Sequence, residues 1–342
     1  MATRIAVLGA GANGAAIGAD LTRAGLDVTL IEQWPAHVEA MRASGIRVVM
    51  PEETVTTPVT VHHLCDVATF RRPFDIVFML VKAYDSRWAA ELIKPLLTPD
   101  SLVVGLQNGM ALDDIADVVG SDRTLGAVIE ISSNMFEPGV VNRQSPHSKS
   151  WFALGSFDPS TVGREAAVAE VLRHAGTVEI SNDIRSSKWM KLVVNAAELV
   201  PSAILDLPLA EAVRTPGMHE FMVATGIEAA HAAIASGNKL RPIFGLEGID
   251  LSSPTDLVNS LFDAVLNDFT LPDTRTTVLQ DWMKSRRSEV NEINGLVVDE
   301  LSRHGAGAPY NSIVVDVARS IENGEFEAHP RNVSLLLDGI VR

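Results

Sequence analysis

Three glycines, Gly9, Gly11 and Gly14, stand in the spacing GxGxxG at the end of the apolar run IAVLGAG, with Ala12 and Asn13 between the last two. That spacing suits the binding of a phosphate. The first glycine permits a tight turn, the second lets backbone approach a pyrophosphate, and the third allows a helix to pack closely on a strand. The N-terminus of that helix adds partial positive charge. Glu32 lies 18 residues beyond Gly14, at the end of the next apolar run. A carboxylate there can accept both adenosine-ribose hydroxyls and repel a 2′-phosphate. No arginine follows it until Arg42. The expected cofactor is NAD, with NADP as the alternative.

Two more groups have chemical potential. Lys191 and Asn195 stand i and i+4 in a helical pattern, so both can aim at one small ligand. Lys82 and Asn108 fall just past two apolar runs that read as strands, at the strand ends where doubly wound folds bind ligands.

The elements that must position these residues alternate. Residues 5–8 and 28–31 read as strands around a helix over 15–24; residues 74–82 and 101–109 read as strand and strand-plus-turn, with helices over 86–94 and 112–119. This is the pattern of an α/β Rossmann domain with a doubly wound parallel sheet. Further strands are expected at 124–131, 151–154 and 177–180, with a turn at Pro138-Gly139 and a helix over 163–175. From about residue 184 the periodicity is helical: 184–199, 216–236, 254–268, 276–304 and 310–322, with Thr215-Pro216 as the start signal of the second. The expected organisation is a dinucleotide-binding domain over 1–180 and an all-helical substrate and dimerisation domain over 181–342.

At 342 residues the chain is long for one core, and 46% hydrophobic with 21% charged residues excludes disorder and fibrous repeats. A net charge of -15 argues against nucleic acid as a partner. The single cysteine, Cys65, leaves no intrachain disulfide and no cysteine-built metal site, which fits a reducing cytoplasm. The apolar N-terminal run carries Asp20 and Arg23 too early for a membrane span or signal peptide. Apolar positions on 218–235 and 312–321 suit a homodimer, or burial within one chain.

Four further patches occur in the order LVKAYD, LQNGM, KWMKLVVNA and TTVLQDWMKSRRSEVNEING. Together with the glycine fingerprint they resemble the ketopantoate reductase family, across almost the whole chain. The resemblance implies a reductase of small 2-keto acids that delivers a nicotinamide hydride to the carbonyl carbon and needs no metal. It makes Lys191 the general acid, Glu289 a partner of the hydroxyl product, Asn195 and Thr277 substrate ligands, Asn108 a contact for the nicotinamide end and Lys82 a cofactor-binding residue. Thr277 takes the place of a serine and keeps its hydroxyl.

Each role has a plainer rival. Lys191 can be a snorkelling lysine, Lys188 can be the one turned inward, and Glu289 can pair with Arg286 or Arg287 on a solvated face. On one straight helix Thr277 and Glu289 would stand roughly 120° apart, so a shared ligand requires a bend or approach from different sides.

The sequence departs from the family in two places. Leu199 stands where a second asparagine is usual, which points to a more hydrophobic substrate tail than that of ketopantoate. Glu32 stands near a position that is mostly basic in NADPH-using members, and relatives acting as NAD-dependent D-2-hydroxyacid dehydrogenases are the better match. The leading expectation is an NAD-linked dehydrogenase of a 2-keto or 2-hydroxy acid. Its rivals are an NADPH-dependent 2-dehydropantoate 2-reductase, an opine-type dehydrogenase and a non-catalytic dinucleotide sensor.

Overall fold

The computed structural model describes residues 2–340, and the chain divides into two compact units, Met1–Ile184 and Arg185–Arg342. Unit 1 contains β1 (Arg4–Leu8), α1 (Ala12–Arg23), β2 (Asp27–Glu32), α2 (Pro35–Ser44), β3 (Ile46–Val49), β4 (Thr54–Thr57), β5 (Thr60–His63), β6 (Phe74–Met79), α3 (Ser86–Ile93), β7 (Leu97–Gly105), α4 (Leu112–Val119), β8 (Thr124–Glu130), β9 (Ser133–Glu137), β10 (Val140–Arg143), β11 (Trp151–Ser156), α5 (Glu165–Leu172) and β12 (Thr177–Ile180).

Eight of these strands form one sheet in the order β12-β11-β8-β7-β6-β1-β2-β5. The six from β8 to β5 are mutually parallel, while β11 pairs antiparallel with β8. This is the doubly wound Rossmann sheet, with its reversal of strand order between β1 and β6. Ile5, Val7, Leu30, Phe78 and Val104 are buried in one face of the sheet, and Ala6, Leu8, Ile31, Val77 and Met79 in the other. Apolar cover on both faces accounts for the continuous rather than alternating hydrophobic runs.

A second sheet, β4-β3-β10-β9, lies outside the sequence expectation. Its strands are only four or five residues long, so they give little periodic signal. The Pro138-Gly139 turn is the tip of its β9–β10 hairpin, where Gly139 takes φ 79° and a Cβ would sit 3.0 Å from that of Ala40.

Unit 2 is helical: α6 (Ile184–Ile204), α7 (Leu209–Arg214), α8 (Met218–Ala235), α9 (Pro254–Ala264), α10 (Thr277–Met283), α11 (Leu296–Arg303), α12 (Pro309–Glu322) and α13 (Val333–Gly339). None is long and apolar enough to cross a membrane among the described residues. Thr215 ends α7 rather than starting α8, whose N-cap is Gly217 at φ 81°. The apolar positions of α8 are consumed inside the unit: Met218, Phe221, Met222, Ala229 and Ala233 are buried. At Gly226 a Cβ would lie 2.8 Å from Val258 of α9 and 3.4 Å from Ala197 of α6, so glycine lets three helices approach. The same burial absorbs Val314, Val315 and Ala318 of α12.

The single helix expected over 276–304 is instead broken. α10 ends at Met283, Ser285 takes φ 53°, and a wide turn over Asn291–Gly295 leads into α11. Asn294 fastens the far side of this break. Its Nδ2 donates to Ala196 O of α6 at 3.0 Å and to Asn311 Oδ1 of α12 at 2.9 Å, while Asn311 Nδ2 donates to Thr225 O of α8 at 3.0 Å. Both asparagines are fully buried, and the hydrogen bonds made by their amide nitrogens tie α6, α8 and α12 to this break.

Candidate active site

In unit 1 the sequence-predicted residues fall at the C-terminal ends of the neighbouring strands β1, β2, β6 and β7. Gly9 N–H donates to Ile31 O at 2.9 Å, beside Glu32, and Leu80 N–H donates to Leu8 O at 2.8 Å. The three glycines do different jobs. Gly9 has φ 94°, and a Cβ on it would meet Val81 N at 2.7 Å. Gly14 packs so tightly that a Cβ would fall 2.0 Å from Gly9 O, whereas a Cβ on Gly11 would meet nothing within 4 Å. The open position is the one that a pyrophosphate would approach. α1 starts there without a side-chain cap and without an acidic residue in its first turn, so its N-terminal amides and dipole suit an anion. These features fit the diphosphate of a dinucleotide.

Glu32 is 6% exposed and its Oε1 accepts the N–H of Trp34 at 2.9 Å, which aims the carboxylate from the end of β2. Arg42, the nearest following arginine, is engaged by Glu39 at 2.9 Å, by Asp66 at 2.8 Å and by Val61 O at 3.2 Å. Its hydrogen bond holds the Asp66 carboxyl below the ordinary range. A cation occupied by two carboxylates is poorly placed to balance a 2′-phosphate. Lys82 follows β6 at the N-cap of a short turn, and Asn108 follows β7 in a half-buried loop. Gln107 Nε2 fixes that loop by donating to Ser86 Oγ at 2.8 Å.

In unit 2, α6 carries a polar stripe through an otherwise apolar helix. At about 100° per residue, Lys188, Lys191, Asn195 and Glu198 fall within roughly 80° of one another, and all four are at most 8% exposed. Lys191 therefore does not snorkel, and both lysines point inward. Lys191 Nζ lies 3.8 Å from Glu198 Oε1 and 5.6 Å from the centre of the Phe244 ring. Burial pushes the Lys188 ammonium down to about 8, opposed by the charge of Glu289.

Glu289 is 3% exposed, so it is not on a solvated face; Arg287 pairs with Glu292 at 2.9 Å. The break after Met283 removes the straight-helix conflict between Thr277 and Glu289. Asn195 Nδ2 and Thr277 Oγ1 are buried with no hydrogen-bond partner among the described residues. Such atoms are costly unless a ligand or water satisfies them. Thr276 is spent on structure: its Oγ1 donates to Leu199 O of α6 at 2.9 Å.

Glu198 had no role in the sequence reading, because a lone glutamate in a helix is ordinarily a solvated residue. Its spacing of seven from Lys191, two turns on one face, was the available signal.

Comparison with known proteins bears on both units. The family model for ketopantoate reductase PanE/ApbA matches residues 5–158, and the model for its C-terminal domain matches residues 183–322. The chain belongs to the ketopantoate reductase family. It is accordingly an oxidoreductase acting on CH–OH groups with NAD(P). A 2-dehydropantoate 2-reductase from Archaeoglobus fulgidus is 29% identical over 326 residues, covering 94% of this chain and 98% of the relative. The crystal structure of a PanE/ApbA family ketopantoate reductase from Ralstonia eutropha JMP134 superposes with a TM-score of 0.78 at 28% identity, covering 94% of this chain and 99% of that one. D-mandelate dehydrogenase, solved with NADH and anilino(oxo)acetate, shares the fold with a TM-score of 0.83 at 22% identity, again over 94% and 99%.

Proposed function

We propose that the protein is an NAD-linked dehydrogenase that interconverts a small 2-keto acid and its 2-hydroxy form, unit 1 holding the cofactor and unit 2 the substrate. The observation that carries the reading is the buried stripe of α6, where a lysine stands one turn from an asparagine whose amide has no partner among the described residues. A bound nicotinamide supplies the hydride. Gly11 and the first turn of α1 receive the pyrophosphate, Glu32 the adenosine ribose, and Lys82 and Asn108 the nicotinamide end. Asn195 and Thr277 hold the substrate by the atoms left over from folding. Lys191 donates its proton to the carbonyl oxygen as alkoxide charge develops, and Glu289 accepts the hydroxyl of the product.

Two features favour NAD over NADP: the oriented carboxylate of Glu32 and the occupation of Arg42 by Glu39 and Asp66. The rival, an NADPH-dependent 2-dehydropantoate 2-reductase, is favoured by the name of the Archaeoglobus fulgidus relative. Leu199, 6% exposed on the same face as Asn195, favours a substrate tail more apolar than that of ketopantoate. A homodimer in the cytoplasm completes the reading. A dimeric ketopantoate reductase from Staphylococcus aureus shares the fold, with a TM-score of 0.73 at 18% identity over 94% of this chain and 100% of that one, and the single cysteine suits a reducing compartment.

The test is binding of NADH and NADPH followed by tryptophan fluorescence, repeated on Glu32→Arg, then turnover with 2-keto acids from ketopantoate to aryl keto acids. Tighter NADH binding that moves toward NADPH in the variant, with aryl or branched substrates preferred, is the expected result. NADPH preference in the unaltered protein with best turnover on ketopantoate would establish the rival.

A further inference from the structure

His37 is fully buried in the first turn of α2, and its two ring nitrogens face two different loops. Nδ1 lies 2.8 Å from the backbone N of Gly139 at the tip of the β9–β10 hairpin, and Nε2 lies 3.0 Å from Ala10 O between the first two fingerprint glycines. The Gly139 amide can only donate, so Nδ1 must be the acceptor. The ring proton then sits on Nε2 and is given to Ala10 O.

That carbonyl belongs to the peptide joining Ala10 to Gly11. In a trans peptide the C=O and the following N–H point in opposite directions, and no peptide bond of the described chain is cis. Holding Ala10 O toward His37 therefore turns the Gly11 N–H away from it. That N–H finds no acceptor among the described residues, at the glycine around which a side chain would meet nothing. The hairpin reaches the fingerprint a second time where Ser133 Oγ donates to Asn13 Oδ1.

We propose that His37, in its Nε2–H tautomer, is a positioning residue that sets the Ala10–Gly11 peptide for the dinucleotide pyrophosphate, with the β9–β10 hairpin holding the ring in place. The inference rests on the reading of the glycine loop as a dinucleotide site.

Two amide substitutions separate its halves. In His37→Gln the terminal amide nitrogen falls near the place of Nε2 and can still donate to Ala10 O. In His37→Asn the amide reaches only the place of Nδ1 and can serve Gly139 alone. Thermal melts, the Kd for NADH and NADPH, and kcat at saturating cofactor are measured on both variants.

The expected result is a rise of about ten-fold or more in Kd for H37N with kcat nearly kept, and a Kd for H37Q within about three-fold of the parent. Equal changes in the two variants, or none, would overturn the proposal and leave His37 as a packing residue. Long-range proton–nitrogen NMR of the unaltered protein gives a second reading should H37N fail to fold: an Nε2–H tautomer is required, and an Nδ1–H tautomer overturns the proposal. If the unaltered protein binds neither NADH nor NADPH, the dinucleotide reading itself fails and the proposal falls with it.

Discussion

Lys191 and Glu198 sit two turns apart on one face of α6, with Nζ and Oε1 separated by 3.8 Å and both side chains below one-tenth exposed. A pair at that depth is held by mutual compensation, and removing one member alone leaves the other buried with less to balance it. Lys191→Met is therefore expected to destabilise unit 2 by about 2–4 kcal/mol, and the Lys191→Met, Glu198→Leu double variant to recover a substantial part of that loss. Urea unfolding of the two variants reads the difference. Equal stabilities would show that the pair is not coupled. The same experiment guards the catalytic assignment, since lost turnover in a Lys191 variant is informative only where the fold survives.

Lys188 gives a pH-dependent expectation. Burial lowers its ammonium from an ordinary 10.5 to about 8, against the raising influence of Glu289. Between those pH values the unfolded chain keeps the proton and the folded chain does not, so unfolding is the more favoured at low pH. The cost is full below about pH 8 and is relieved as pH rises toward 10.5, and the gap corresponds to about 3 kcal/mol. The stability of the parent minus that of Lys188→Met should climb across this window and be flat below it. A flat difference throughout would mean that Lys188 reaches solvent.

Gly11 and Gly14 should fail in opposite ways. Alanine at position 11 meets no atom within 4 Å, so folding is expected to be unimpaired while NADH binding weakens by about ten-fold or more as the methyl occupies the pyrophosphate approach. Alanine at position 14 would place its Cβ 2.0 Å from Gly9 O, and overpacking against backbone should cost about 1–3 kcal/mol. Calorimetry beside cofactor titration separates them. A Gly11→Ala protein that binds NADH normally would remove Gly11 from the site.

The Rossmann half was legible because its strands are buried on both faces and its glycines mark strand-to-helix junctions; Leu112–Val119 and Thr177–Ile180 fall where the pattern put them. The strands β4 and β5 were not legible, since each is only four residues long and too short to show an alternation of its own. In unit 2 the helical period continued through Lys284–Glu289, where tertiary bonds from Glu322 win over local propensity: its Oε1 accepts from Ser288 Oγ at 2.6 Å and from Trp282 Nε1 at 3.0 Å. Lys191 and Asn195 were visible as a spaced pair. The tautomer of His37 was not, because nothing in a sequence brings residues 10, 37 and 139 together.

Arg143 offers a last expectation, on how the two sheets of unit 1 are tied. It is 1% exposed at the end of β10. Its guanidinium reaches Asp20 of α1 at 2.5 Å, Ser150 Oγ at 2.8 Å, Ala175 O at 2.6 Å and Ser145 O at 3.0 Å. His147 Nε2 also lies 2.9 Å from the Asp20 carboxylate. Arg143→Met removes the cation and leaves Asp20 buried beside a histidine and Arg23, so a loss of about 3–5 kcal/mol is expected. Adding Asp20→Leu should return much of it, because the stranded carboxylate and not the missing side-chain volume carries the cost. Chemical denaturation of the single and double variants reads this directly. A double variant no more stable than Arg143→Met would locate the loss in the bonds to Ala175 and Ser145, making the arginine a clamp on the loops around β11 and β12 rather than a counter-charge for α1.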